Sequence, residues 1–145
     1  MNKSTKYSKV LFILHMPPPV HGASMVGKYI HDSKIINNAF ECHYLNLALA
    51  KDLDDIGKGG IRKLKEFYKQ LKQIRKQTKL IVPQLCYVTP NAKGGAFYKD
   101  FFVVMLLKMM RQNIVVHYHN KGIATRQNRY LSLIHISEPT RPEPI

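Results

Sequence analysis

The segment Lys9-Val-Leu-Phe-Ile-Leu-His15 holds five consecutive large apolar residues with no polar alternation. A strand with one wet face alternates apolar and polar, so an unbroken run points to a strand buried on both faces, as in a parallel sheet covered by helices. The next residues, Met16-Pro-Pro-Pro-Val-His-Gly22, form a loop, because proline lacks a donor and restricts the residue before it. From Ala23, the residues Ser24, Met25, Val26, Tyr29 and Ile30 recur at helical spacing, with Ser24 as the candidate cap. The unit reads as strand, tight loop, helix.

The same alternation continues. Phe40 to Asn46 reads as a second strand, with Phe40, Cys42 and Tyr44 on one face and Glu41, His43 and Leu45 on the other. After a polar connection, Ile61, Leu64, Phe67, Tyr68, Leu71 and Ile74 mark an amphipathic helix of about five turns. Its opposite face carries Lys63, Lys65, Lys69, Lys72, Arg75 and Lys76 with only Glu66 in relief, and Pro83 stops it. Leu85 to Thr89 is a third strand, followed by the loop Pro90 to Gly95. Phe97 to Arg111 is a second long helix. It is apolar almost all round at Phe101, Phe102, Val103, Val104, Leu106 and Leu107, which predicts deep packing. Ile114 to His119 is a fourth strand, ended by Asn120-Lys-Gly122. Strands alternating with helices imply an α/β fold with a parallel sheet flanked by helices.

Composition narrows the partners. With 45% hydrophobic and 22% charged residues among 145, the chain can bury a core and is not a disordered basic tail. A net charge of +14 favours an anionic partner. Cys42 and Cys86 cannot build a disulfide framework, which points to a reducing compartment. Lys108 and Arg111 interrupt the most apolar stretch, so no membrane span is expected, and the apolar run Val10 to Leu14 is too short for a signal peptide. The expected location is the cytoplasm.

One segment is set apart. Residues 131–145, LSLIHISEPTRPEPI, hold three of the eight prolines. The run Leu131 to Arg141 resembles the translation of a transposase adapter used in sequencing libraries. The expected division is therefore a domain over 1–130 and a non-native tail over 131–145. Leaving out Arg141, Glu138 and Glu143 moves the charge from +14 to +15, so the basic bias belongs to the domain.

Ligands of open α/β sheets bind outside the carboxyl ends of the strands. Three segments fall there: Met16 to Ser24, Thr89 to Gly95 and His119 to Gly122. Gly22 at the helix entry lets a ligand approach the backbone, and the free N–H groups of that helix favour an anion. Neither G-x-G-x-x-G nor the Walker motif is present, which disfavours a freestanding nucleotide-binding regulator. His117 and His119 are two apart and share a strand face, with His119 at the strand's end and His117 one layer deeper. No carboxylate or cysteine joins them or His21 at a recognisable spacing, so no metal site is expected. On the basic helix, spanning Arg62 to Lys79, a membrane surface outranks nucleic acid, because no base-reading motif accompanies the charge.

The order KVLFILHMPPPVHGAS, LCYVTPNAKGGAFYKD and NIVVHYHNKG, covering Lys9 to Arg129, resembles the N-terminal Rossmann-like half of bacterial GT-B glycosyltransferases of the family 4 type. The resemblance implies transfer of a sugar from a nucleotide-diphosphate donor to a cell-surface polysaccharide or glycolipid acceptor, with retention of configuration and with no resident cofactor. It implies His119 as the catalytic position touching the reacting sugar. His21, Gly22 and Ala23 stand where the family's glycine-rich loop meets substrate, with Asn120 and Lys121 assisting. Here Pro17-Pro18-Pro19 and the single Gly22 replace the family's paired glycines. The family's second domain, with its basic residues and paired glutamates, has no counterpart in these residues, so the fragment alone is expected to be inactive. The competing expectation is a non-catalytic basic α/β module that binds anionic lipid or nucleic acid.

Overall fold

A computed structural model describes residues 8–18, 20–47, 60–91 and 94–119. Four strands form one all-parallel sheet, β1 (Lys9–Leu14), β2 (Glu41–Asn46), β3 (Leu85–Val88) and β4 (Ile114–Val116), in the order β2-β1-β3-β4. Four helices, α1 (Gly22–Asp32), α2 (Lys34–Ala39), α3 (Gly60–Ile81) and α4 (Gly94–Met109), flank it. The chain thus has a Rossmann-like α/β fold.

β1 is central, which explains its unbroken apolar run. Val10, Phe12 and Leu14 pack with Ile30 of α1 and Ile36 of α2 on one face. Leu11 and Ile13 pack with Ile74 of α3 and Val103 and Leu107 of α4 on the other. On the first face Phe12 stacks on Tyr44, ring centroids 5.1 Å apart. Cys86 lies in the second cluster, where burial pushes its thiol up to about 11 and leaves it an inert core residue.

The helix starts differ from the expectation. α1 begins at Gly22, and its cap is His21 rather than Ser24. His21 Nδ1 accepts the Ser24 N–H at 3.3 Å, and Ser24 Oγ accepts the His21 N–H at 2.9 Å, a reciprocal capping box. A serine can fill either end of that box, so its presence alone did not fix the boundary. The short helix α2, capped by Ser33, has no long apolar period and was not expected. Phe40, expected in the second strand, follows α2 as its C-cap.

α4 starts earlier and stops earlier than expected, at Gly94 and Met109, with Arg111 at φ 56° closing its end. Its deep burial is also corrected. Val103, Val104 and Leu107 are buried, but Phe102 is half exposed, because the sheet covers only one side of the helix. The stripe of α3 divides likewise. Ile74 is buried, whereas Ile61, Leu64 and Tyr68 face water. Lys72 and Arg75 continue their line at the same helical steps, so these two cations do not lie opposite those residues as expected. Among the described residues no helix is long and apolar enough to cross a membrane. The tail at 131–145 lies outside the described residues.

Candidate functional site

Between β1 and β3 the chain's connections diverge. β1 leads to α1 on one face of the sheet, and β3 leads to α4 on the other. Such a switch point opens a crevice at the carboxyl ends of the strands, where α/β proteins bind ligands.

After the carboxyl ends of β1 and β3 lies a buried polar cluster that no local sequence pattern announces. His15, the residue after β1, is 6% exposed, and Asp100 on α4 is 4% exposed. His15 Nε2 lies 3.1 Å from Asp100 Oδ2 and 3.0 Å from Asn91 Nδ2, and the Asn91 backbone N–H donates to Asp100 Oδ2 at 2.7 Å. An imidazole nitrogen carries either a proton or a lone pair, so Nε2 serves Asp100 or the Asn91 amide group in a given tautomer. The Asn91 backbone contact holds Asp100 in either case. This network ties the loop after β1 to the loop after β3 and to α4. Asp100 is the only acid between residues 67 and 137, and that isolation in an apolar helix was the available signal.

Two polar atoms near the strand ends are buried without a partner: Thr89 Oγ1, directly after β3, and His119 Nε2, after β4. Orphaned groups of this kind are rare in folded proteins and cost about 1–3 kcal/mol each, so they call for an explanation. Burial, followed by the neighbouring His117, holds the His119 imidazole below its usual value.

The expected site residues fall as follows. β4 ends at Val116, so His117 and His119 lie beyond it, rather than within it, with ring centroids 4.1 Å apart. Their expected depth is reversed: His117 is exposed and bonded to the Tyr87 hydroxyl, and His119 is the half-buried one. His21 caps α1 with its ring 6.4 Å from that of His15. Gly22 faces open space, since a Cβ there would meet nothing within 4 Å, and Ala23 is half-buried in the first turn. Asn120 and Lys121 lie outside the described residues. Thus His15 and His21 after β1, Thr89 and Asn91 after β3, and His117 and His119 after β4 all follow the carboxyl ends of the parallel strands. Among the described residues no group of three His, Cys, Asp or Glu is placed to hold a metal ion.

The close fit of α1 explains how this edge is held. A Cβ at Gly27 would lie 2.1 Å from the His15 carbonyl oxygen, so only glycine lets the helix cross the end of β1 so closely. Comparison of the chain with protein-family models, with curated proteins and with solved structures found no match.

Proposed function

We propose that the chain is the acceptor-side half of a cytoplasmic glycosyltransferase, which moves a sugar from a nucleotide-diphosphate donor to a cell-surface polysaccharide or glycolipid and works against the inner face of the plasma membrane. The observation that carries the reading is the pair of buried, unpartnered atoms, Thr89 Oγ1 and His119 Nε2, near the carboxyl edge of a parallel sheet. A polyhydroxylated ligand is the chemistry that satisfies such atoms. The ordered motifs from Lys9 to Arg129 support the same class.

In this reading His119 stays neutral near pH 7, because its affinity for a proton is lowered, and it exchanges hydrogen bonds with the reacting sugar. The leaving diphosphate gathers negative charge as the glycosidic bond breaks. The backbone N–H groups of Gly22 and Ala23 at the start of α1 stabilise that charge, with Lys121, two positions after His119 in the sequence, assigned as the assisting cation. His15, Asp100 and Asn91 keep the two bordering loops in register and do not touch the reacting atoms. Donor binding is assigned to the second domain that the resemblance implies, so transfer is expected only when that domain is joined to these residues.

The test is sugar transfer by the two-domain protein. His119→Ala is expected to lower kcat/KM about a hundredfold with the fold intact. A folded two-domain protein that binds no nucleotide sugar overturns the reading. A second reading, a basic module without chemistry, is favoured by the exposed apolar and cationic surface of α3.

A further inference from the structure

α4 is apolar over most of its length, yet the sheet covers only one side of it. Tyr98, Phe102 and Met109 stand 62%, 54% and 78% exposed, at spacings of four and seven residues that place them on one stripe. Alongside, α3 exposes Ile61, Leu64 and Tyr68 at 76%, 66% and 68%, again on one stripe. The rings of Phe67 and Phe102 meet edge-on at 6.1 Å, which sets α3 beside α4. Arg75 and Lys79, further along the α3 stripe, share a groove with Met109 of the α4 stripe, so both stripes border the outer side of the α3–α4 layer. Toward the helix ends this surface deepens into a groove of about 450 Å³ between Arg75 and Lys79 on α3 and Leu106 and Met109 on α4. Six large apolar side chains gathered in water mark an interaction surface rather than scattered exposure.

The charge on α3 selects the partner. The line that begins Ile61, Leu64, Tyr68 continues at the same helical steps as Lys72, Arg75 and Lys79, so its first half is apolar and its second half cationic. Lys65, Lys69 and Lys76 flank it, and Glu66 is the helix's only acid. A second copy of the chain would bring cations against cations, with too little acid on α3 to pair them. Nucleic acid would meet the cations and leave Ile61, Leu64 and Met109 in water. An anionic bilayer meets both needs, since apolar side chains enter the boundary between headgroups and acyl chains while lysines meet lipid phosphates.

We infer that the outer face of α3 and α4 docks side-on into the interface of an anionic bilayer, with Leu64, Tyr68, Phe102 and Tyr98 entering it and Lys69, Lys72 and Lys76 among the headgroups. The inference rests on the membrane-apposed part of the proposed function and deepens it. There the charge of α3 brings the chain to the surface; here the apolar stripes decide which face enters.

The chain contains no tryptophan, so a single introduced one reports cleanly. In the full 145-residue chain, Phe102→Trp and Tyr68→Trp are placed on the proposed face. Tyr29→Trp, on exposed α1 across the sheet, is the control. Each is checked for helix content by circular dichroism and mixed with vesicles of phosphatidylcholine, with or without phosphatidylglycerol. On anionic vesicles the emission of Phe102→Trp or Tyr68→Trp is expected to shift to the blue and to be quenched by brominated acyl chains, and that of Tyr29→Trp to stay unchanged. Adding Lys72→Ala and Lys76→Ala is expected to lower the partition coefficient roughly ten- to thirtyfold. No shift with phosphatidylglycerol, an equal shift on neutral vesicles, or an equal shift of Tyr29→Trp overturns the inference. A concentration-dependent shift without vesicles assigns the face to a second copy and overturns it too. Transfer to a water-soluble acceptor by a two-domain protein that ignores vesicles would sink the docking face alone. Vesicle binding without nucleotide-sugar binding would sink the transferase reading alone.

Discussion

The carboxyl edge of the sheet and the outer face of the α3–α4 layer reverse the usual distribution of polarity. At the edge, His15, Thr89 and Asp100 are polar and buried. On the outer face, Leu64, Phe102 and Met109 are apolar and exposed. Each departure costs stability in the isolated chain, by desolvating polar groups in one place and leaving apolar area wet in the other. The edge is held by hydrogen bonds among His15, Asn91 and Asp100, whereas the apolar side chains of the outer face lie in water. Substitutions among the bonded residues of the edge should therefore change stability, and those on the outer face should leave it nearly unchanged.

The largest effect is expected where α1 meets the edge. Gly27→Ala places a methyl group against the His15 carbonyl and should cost about 3 kcal/mol in urea denaturation; an unchanged midpoint would show that α1 can shift freely. Next comes Asp100→Ala, which removes a buried partner of both His15 and the Asn91 N–H, and a loss of about 2 kcal/mol is expected. Asp100→Asn keeps an acceptor oxygen and should cost less. On the outer face, Leu64→Ser should move stability by no more than about 0.5 kcal/mol. A large loss there would mean that the stripe is covered within the chain, and the contrast between the regions would fail.

The smallest effect is a pH dependence. His119 has its folded-state affinity for protons lowered below the usual imidazole value of 6.5, so the unfolded chain takes up a proton first as the pH falls. Its contribution is thus fully present above that value and declines as the pH drops through it toward the folded value. Denaturation midpoints at pH 7, 6 and 5 should fall less steeply for His119→Gln than for the parent chain. Equal slopes would remove His119 from the buried edge.

What could be read from the sequence follows the range of the interaction. β1 was legible because burial on both faces leaves no polar position in five residues. α3 was legible through its period, and Pro83 through its missing donor. β4 was drawn too long because His117-Tyr118-His119 has strand-like composition; the His117 N–H still reaches the Val88 carbonyl, and the ladder stops there. The depth of α4 was overestimated because an apolar helix implies a covering without saying which molecule supplies it. His15 and Asp100 are 85 positions apart, and no local pattern joins them. His21 lies in the loop after β1, as its sequence position implies, but its capping of α1 depends on Ser24 folding back.

The strand order also sets a timetable for synthesis. β1 pairs with β2 about thirty residues on, but its other neighbour, β3, begins only at Leu85, after all of α3 has been made. A chain emerging from the ribosome can form the β1–β2 pair early, while the second edge of its most apolar strand waits for β3. Through that interval the unpaired backbone of β1 is the part of the nascent protein most exposed to mispairing, and α3, strongly cationic, is the segment that keeps neighbouring copies apart.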